Sequence, residues 1–318
     1  MPLPKPDISN AKVEPVVDQK MMIGEGPHWD EPTQTLVWVD VYQGLVMIYD
    51  PATGVNKVFD AKEQLTKLGA KDDRLAVGAV IPIAGQPGKL LLATGNHIGT
   101  LDTSSGEIEF KSEFSDGTDD THFNDAKCDP SGRLWAGSMS SEANAQVRDP
   151  EAGNLYLVDK GFALSSPKDS KFAIANGLAW SADEKTMYFV DSIPGAIYAY
   201  DYDNANGTIS NRRTMLDTTG LDIGFPDGMC IDSVGRLWVA GYASSGVHCI
   251  DPTAPDQAPL TIKIPNAKCV TSCCFGGKNL DELYVTTGGR DDDDVHAGKL
   301  HRITNLGATG FAGQPYIA

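Results

Sequence analysis

Six times along the chain a short run of aliphatic and aromatic residues follows a turn rich in Asp, Pro, Ser and Gly. The runs are anchored at Leu36 (Leu-Val-Trp-Val-Asp), Leu90 (Leu-Leu-Leu-Ala-Thr), Leu134 (Leu-Trp-Ala-Gly-Ser), Met187 (Met-Tyr-Phe-Val-Asp), Leu237 (Leu-Trp-Val-Ala-Gly) and Leu283 (Leu-Tyr-Val-Thr-Thr). Successive anchors fall at a nearly even spacing of about 50 positions. Between anchors the pattern reads as strand, turn, strand at period two. Gly44-Leu-Val-Met-Ile-Tyr-Asp50 leads through Pro51-Ala-Thr-Gly54 into Val55-Asn-Lys-Val-Phe59, and similar strands start at Gly195 and Gly246. No segment keeps a 3.6-residue apolar period, so helix is expected to be scarce. Residues 60–74 and 112–122 are charged and read as surface loops. Repeats of this length, each holding several short strands, predict an all-β fold: a six-bladed β-propeller with four-stranded blades. The expected domain spans residues 1–318, with its core at about 14–314. Two packed β-sandwiches are the competing architecture, and they leave the sustained period unexplained.

A polar residue opens four of the units at nearly constant phase. Glu25 precedes Leu36, Asn124 precedes Leu134, Asn176 precedes Met187 and Asp227 precedes Leu237, by ten or eleven positions in each case. In a propeller, equal phase means equal position along the central channel, so these four residues are expected at one channel end. Counting in the same way places Val80 and Ser272 at that level in the second and last units. Singly, Asn124-Asp125, Asn176-Gly177 and Pro226-Asp227-Gly228 are ordinary turn formers. Jointly and in phase with Glu25 they form an all-oxygen cluster. Carboxylates brought so close repel each other and raise a pKa, a conflict that a bound cation removes. Oxygen donors without thiolate or imidazole favour hard ions: Ca²⁺ first, with Mg²⁺, Mn²⁺ or Zn²⁺ also able to fit.

Composition narrows the function classes. The 318 residues include 33 Gly and 19 Pro, and the net charge is −17. That charge argues against nucleic acid or an anionic membrane as partner, since both select a basic face. The start of the chain, Met-Pro-Leu-Pro-Lys-Pro, lacks the apolar core of a signal peptide, and no stretch approaches the ~20 apolar residues of a spanning helix. The six cysteines (128, 230, 249, 269, 273 and 274) lie mostly in apolar strand-like runs without zinc spacing. They read as reduced core thiols of a cytoplasmic protein. Arg290 followed by four aspartates lacks the alternating ligands and glycine of an EF-hand and reads as a solvated acidic loop. No Gly-x-Ser-x-Gly elbow supports a serine nucleophile.

Five motifs carry a family resemblance. They are Gly-Glu25-Gly-Pro-His-Trp, Phe-Asn124-Asp-Ala-Lys-Cys-Asp-Pro-Ser-Gly-Arg-Leu-Trp-Ala-Gly-Ser-Met139, Ile-Ala-Asn176-Gly-Leu-Ala-Trp-Ser, Pro-Asp227-Gly-Met-Cys-Ile-Asp and Thr-Ser-Cys-Cys-Phe-Gly-Gly-Lys-Asn-Leu-Asp-Glu-Leu-Tyr-Val-Thr. Together they resemble the regucalcin (senescence marker protein), gluconolactonase and luciferin-regenerating enzyme family. The resemblance implies a six-bladed propeller, one divalent cation at the channel end, and lactonase activity. It places metal ligands on Glu25, Asn176 and Asp227, and substrate contacts on His122, Asn124 and Glu142. Relatives usually carry Arg at the position of His122. His has a shorter reach and a pH-dependent charge, so the substrate is expected to differ from the family's sugar lactones.

The expected chemistry is metal-assisted ring opening of a small lactone, with Glu25 and Asp227 as catalytic carboxylates and Asp227 as general base. A monomer or weak dimer is expected. The same donor set would serve a calcium-binding regulator without turnover, or a luciferin-regenerating or phosphotriesterase-like hydrolase. A scaffold propeller would leave the carboxylates idle.

Overall fold

Each of the six apolar runs becomes the second strand of an antiparallel sheet. The computed structural model describes residues 2–68, 75–115, 121–140, 150–290 and 292–318. After β1 (Lys12–Val17), the first sheet is built in chain order from β2 (Gly24–Asp30), β3 (Thr35–Asp40), β4 (Leu45–Asp50) and β5 (Val55–Asp60). The second follows with β6 (Val77–Pro82), β7 (Lys89–Thr94), β8 (His97–Asp102) and β9 (Ile108–Glu113). The third holds β10 (Thr121–Cys128), β11 (Leu134–Ser140) and β12 (Gly153–Asp159). Its outer position is shared by two short pieces, β13 (Ala163–Leu164) and β14 (Asp169–Phe172), both paired with β12. The fourth runs through β15 (Ala175–Trp180), β16 (Thr186–Asp191), β17 (Ala196–Asp203) and β18 (Thr208–Asp217). The fifth comprises β19 (Phe225–Ile231), β20 (Leu237–Tyr242), β21 (Gly246–Ile250) and β22 (Leu260–Lys263).

The last sheet closes the ring. β23 (Cys269–Gly276), β24 (Glu282–Gly288) and β25 (Leu300–Thr304) take β1 from the other end of the chain as their fourth strand. The first strands of the sheets lie against one another in a closed circuit, from β2 through β6, β10, β15, β19 and β23 back to β2. This is a six-bladed β-propeller. Helix among the described residues amounts to α1 (Lys62–Lys67), a 3-10 turn at Lys160–Phe162 and a 3-10 position at Leu75. α1 forms inside the stretch expected to be loop because Leu65 is buried beneath it. Residues 112 and 113 likewise end β9, and 121 and 122 begin β10, rather than belonging to a loop.

Six apolar clusters fill the gaps between neighbouring blades. Alternate residues of one strand serve opposite gaps: on β3, Val37 and Val39 pack toward the second blade, while Leu36 and Trp38 pack toward the sixth. On β20, Leu237 and Val239 face the fourth blade, and Trp238 and Ala240 face the sixth. Both faces of these strands are therefore buried, which is why their sequences are continuously apolar rather than alternating.

In the third and fifth blades the turn between first and second strands is set by a repeated buried ion pair. Asp129 accepts hydrogen bonds from the Ser131 amide (2.9 Å), Arg133 Nε (2.8 Å) and Trp135 Nε1 (3.1 Å). Asp232 repeats the arrangement with the Val234 amide (3.1 Å), Arg236 Nε (2.5 Å) and Trp238 Nε1 (3.0 Å). Both aspartates are completely buried, and their donors satisfy the charge that burial would otherwise penalise.

Candidate metal centre

Every first strand carries a β-bulge at the same level. The register shifts between Glu25 and His28, Val77 and Ala79, Phe123 and Ala126, Ala175 and Leu178, Pro226 and Met229, and Val270 and Ser272. A bulge twists the strand and re-aims the side chain at its start. Glu25, Asn124, Asn176 and Asp227 all stand at that point, and all four line one cavity of about 280 Å³ at the channel end. The chain segments entering two of these strands are held by carboxylates from the second strands. Asp40 accepts from the Met22 amide (2.7 Å), and Asp191 accepts from the Ile174 amide (3.0 Å).

The bulges correct the assignment in the remaining two blades. Gly78 and Thr271, rather than Val80 and Ser272, occupy the equivalent level. Both stand slightly further ahead of their anchors, Leu90 and Leu283, than the four polar residues do of theirs. A count carried over from the polar blades therefore overshoots the bulge. At Gly78 the absent side chain admits the neighbouring blade, since a Cβ would stand 2.7 Å from the Phe123 carbonyl oxygen. Thr271 lines the cavity, and its hydroxyl donates to the Gly24 carbonyl at 2.6 Å.

Two oxygens at the centre lack partners. Asn176 Oδ1 and Asp227 Oδ1 are buried without a hydrogen bond, although Asn176 Nδ2 donates to Ser192 Oγ at 3.2 Å. Asn124 Nδ2 donates to the Ala175 carbonyl at 3.0 Å, and Glu25 Oε2 accepts from the Gly26 amide at 3.0 Å. Burial pushes the Glu25 carboxyl well above the usual carboxylate range, and the Asp227 and Asp125 carboxylates push it further. Asp227 is likewise driven well up by burial and by Asp125, against the opposing pull of the Asn176 amide and the Gly228 N–H. Asp125 is itself raised by burial, with the Lys127 ammonium opposing.

Sequence reasoning missed three participants. Asp125 passed as half of an Asn-Asp turn, yet it is buried, and its charge acts on both Glu25 and Asp227. Lys127 is the ammonium that offsets part of this charge. Arg290 reads in sequence as part of an acidic loop, but it lines the cavity with its guanidinium 4.9 Å from the Tyr42 ring centroid. No signal in the local sequence marks Arg290, because its partner Tyr42 comes from a different blade.

Of the expected substrate contacts, Asn124 lines the cavity. His122 is buried on β10 with Nδ1 2.8 Å from the Phe123 carbonyl oxygen, and it is not one of the lining residues. Glu142 lies outside the described residues.

Three buried carboxylates and one ammonium leave a negative excess, and two oxygens await a partner. That set fits a hard cation. Among the described residues no three His, Cys, Asp or Glu side chains form a metal-sized group, so a cation here would need amide oxygen beside the carboxylates. The expectation that all six cysteines are core thiols holds, since each is buried and free.

Fold and site together define a class: a six-bladed propeller with a carboxylate–amide cluster where its channel opens. The family profile described as "SMP-30/Gluconolactonase/LRE-like region" matches residues 23–289, and the chain belongs to that family. It is 36% identical to Regucalcin of Xenopus laevis over 311 residues, covering 96% of this chain and 98% of the relative. Against Regucalcin of Homo sapiens the identity is 33% over 322 residues, covering 97% and 99%. Among solved structures, a luciferin-regenerating enzyme is 35% identical with a TM-score of 0.85, covering 97% of this chain and all of its own. A calcium-binding regucalcin from Agrobacterium tumefaciens, 23% identical with a TM-score of 0.81 over 96% of this chain and 97% of its own, shares the fold.

Proposed function

We propose that the protein is a divalent-cation-dependent hydrolase that opens lactone rings. Glu25, Asn176 and Asp227 hold the cation, with Ca²⁺ favoured over Mg²⁺, Mn²⁺ and Zn²⁺. The observation that carries the reading is the shared bulge, which sets oxygen donors from separate blades around one cavity and leaves Asn176 Oδ1 and Asp227 Oδ1 buried and unpartnered. When bound, such a cation polarises the lactone carbonyl and acidifies water. With a cation held between them, Glu25 and Asp227 would lose their mutual repulsion and favour their ionised forms.

The chain's own residues supply the rest. Asp227 takes the proton from the attacking water. Asn124, its amide fixed on the Ala175 carbonyl, orients the substrate. Arg290, its guanidinium over the Tyr42 ring, brings a permanent positive charge to the cavity wall. His122 and Glu142 remain candidate contacts through the family resemblance.

The mouth favours a substrate with an apolar part. Ile193 and Phe225 line the cavity and are each 48% exposed, beside Tyr42 and Tyr242. An alkyl- or aryl-substituted lactone buries that surface better than a fully hydroxylated one.

The test is metal analysis of the purified protein joined to a hydrolysis screen across sugar, aryl and aliphatic lactones with each cation. Turnover should require a cation and disappear on chelation. A full rate in a metal-free preparation refutes the reading. Cation binding with no turnover on any lactone favours the calcium-binding regulator instead.

A further inference from the structure

The channel has a second end, and its chemistry is the reverse of the first. Each first strand passes the carboxylate–amide level and continues for a few more residues, roughly 10 Å at strand spacing. There His28, Lys127, Trp180 and Phe275 line a separate cavity of about 190 Å³, together with the C-terminal residues 311–314. The C-terminal segment forms part of its wall: Gly313 packs directly on the His28 ring, and the Tyr316 amide is tied to the Pro82 carbonyl at 2.9 Å.

Lys127 is the charged group of this cavity. Its ammonium donates to the Met229 carbonyl and makes no ion pair among the described residues, leaving two of its three N–H donors for a ligand. The one carboxylate on the wall, Glu184, is exposed and accepts a hydrogen bond from the Asn204 amide at 2.5 Å. Trp180 Nε1, a donor only, and His28 Nε2 are buried without partners, and both side chains line the same cavity. Leu178, Phe275 and Phe311 give the wall its apolar part, and Ser181 and Gln314 add neutral polar groups.

We propose that this cavity is a binding site for a small organic monocarboxylate with an apolar body. The carboxylate sits on Lys127 and the unpartnered indole N–H, and the body lies against Leu178, Phe275 and Phe311. The volume falls below the ~300–1,000 Å³ of drug-sized sites, which limits the ligand to a single ring or a short chain. The site does not depend on the hydrolase reading: none of its groups is a proposed cation ligand, and Lys127 acts on Glu25 and Asp125 through its charge alone.

The test uses the full-length, calcium-loaded protein with benzoate as probe and benzamide as its neutral counterpart, followed by calorimetry. Benzoate should bind with one-to-one stoichiometry, and benzamide about tenfold more weakly or worse, since a charge-assisted contact is lost. Lys127→Met should weaken benzoate by about tenfold or more, and Trp180→Phe by a smaller factor. Glu25→Gln, which disables the cation end, should leave benzoate binding intact and so separates this site from carboxylate binding at a metal. The proposal is overturned by equal affinity for benzoate and benzamide, or by no saturable binding of benzoate. Binding that survives Lys127→Met but vanishes in Glu25→Gln also overturns it. The benzoate–benzamide comparison on the unmodified protein decides the matter even if a variant fails to fold.

Discussion

Gly177 lies between two proposed cation ligands, and replacing it tests how the site is built. The residue follows Asn176 on the fourth blade's first strand and faces the fifth blade's first strand at Asp227. A Cβ there would stand 2.6 Å from the Asp227 carbonyl oxygen and 2.8 Å from the Met229 amide nitrogen. Both distances fall inside the 3.0 Å that real Cβ atoms keep. Both obstacles are backbone, so no side-chain rotation relieves them, and the two strands must part at the level of the site. Overpacking of this kind costs about 1–3 kcal/mol. The same displacement spreads Asn176 from Asp227, and shifts of even ~1 Å degrade a constellation about a hundredfold. Gly177→Ala should therefore lose about 1–3 kcal/mol in urea unfolding under chelation, and at least about tenfold in calcium affinity by calorimetry. Gly54→Ala is the control: that glycine has a φ of +72° and nothing within 4 Å, so only the backbone conformation, at about 1 kcal/mol, is strained. Unfolding of Gly177→Ala at the same urea concentration as wild type would contradict the close-approach argument. Lost stability with undiminished calcium affinity would detach Asn176 and Asp227 from the site.

Further expectations follow from the same geometry. Because burial and neighbouring charge raise the Glu25 pKa, the folded chain without metal binds more protons than the unfolded chain from about pH 4 upward, so Glu25 costs stability as pH rises. Glu25→Gln should then be more stable than wild type in chelator at neutral pH, with the gap closing as pH falls toward the ordinary carboxylate range in thermal melts; a gap that widens on acidification refutes this. Asp232→Ala strands Arg236, which is 6% exposed, and should cost about 3–5 kcal/mol by calorimetry, whereas an unchanged melting temperature would show the pair to be dispensable. Tyr316→Ala removes a fully buried ring that packs on Phe162 at 5.1 Å, so a loss of about 3–5 kcal/mol and faster proteolysis of the C-terminal segment are expected. With all six thiols buried, an aromatic disulfide reagent should titrate them only after denaturation; rapid reaction of the native protein would contradict that placement.

The sequence by itself determined the blade count and four of the residues that meet at one channel end. Strands buried on both faces must be apolar throughout, so each second strand announces itself, and the even spacing of six such runs is the propeller. The polar residues Glu25, Asn124, Asn176 and Asp227 stood out because phase along a repeat becomes position along an axis.

What the sequence left open depends on partners far apart in the chain. A bulge is defined by two strands in register, so Gly78 and Thr271 became the true equivalents only once β6 met β7 and β23 met β24. Asp125 looked like half of a turn until burial set its charge beside Glu25 and Asp227. Arg290 reached the channel end lined by Glu25 and Asp227 through Tyr42, and residues 311–314 reached the opposite end because the chain closes the ring with β1 and then lays its last segment across the channel. Local preferences fix which residues form strands. Which charges face one another across the axis is decided only when the ring closes.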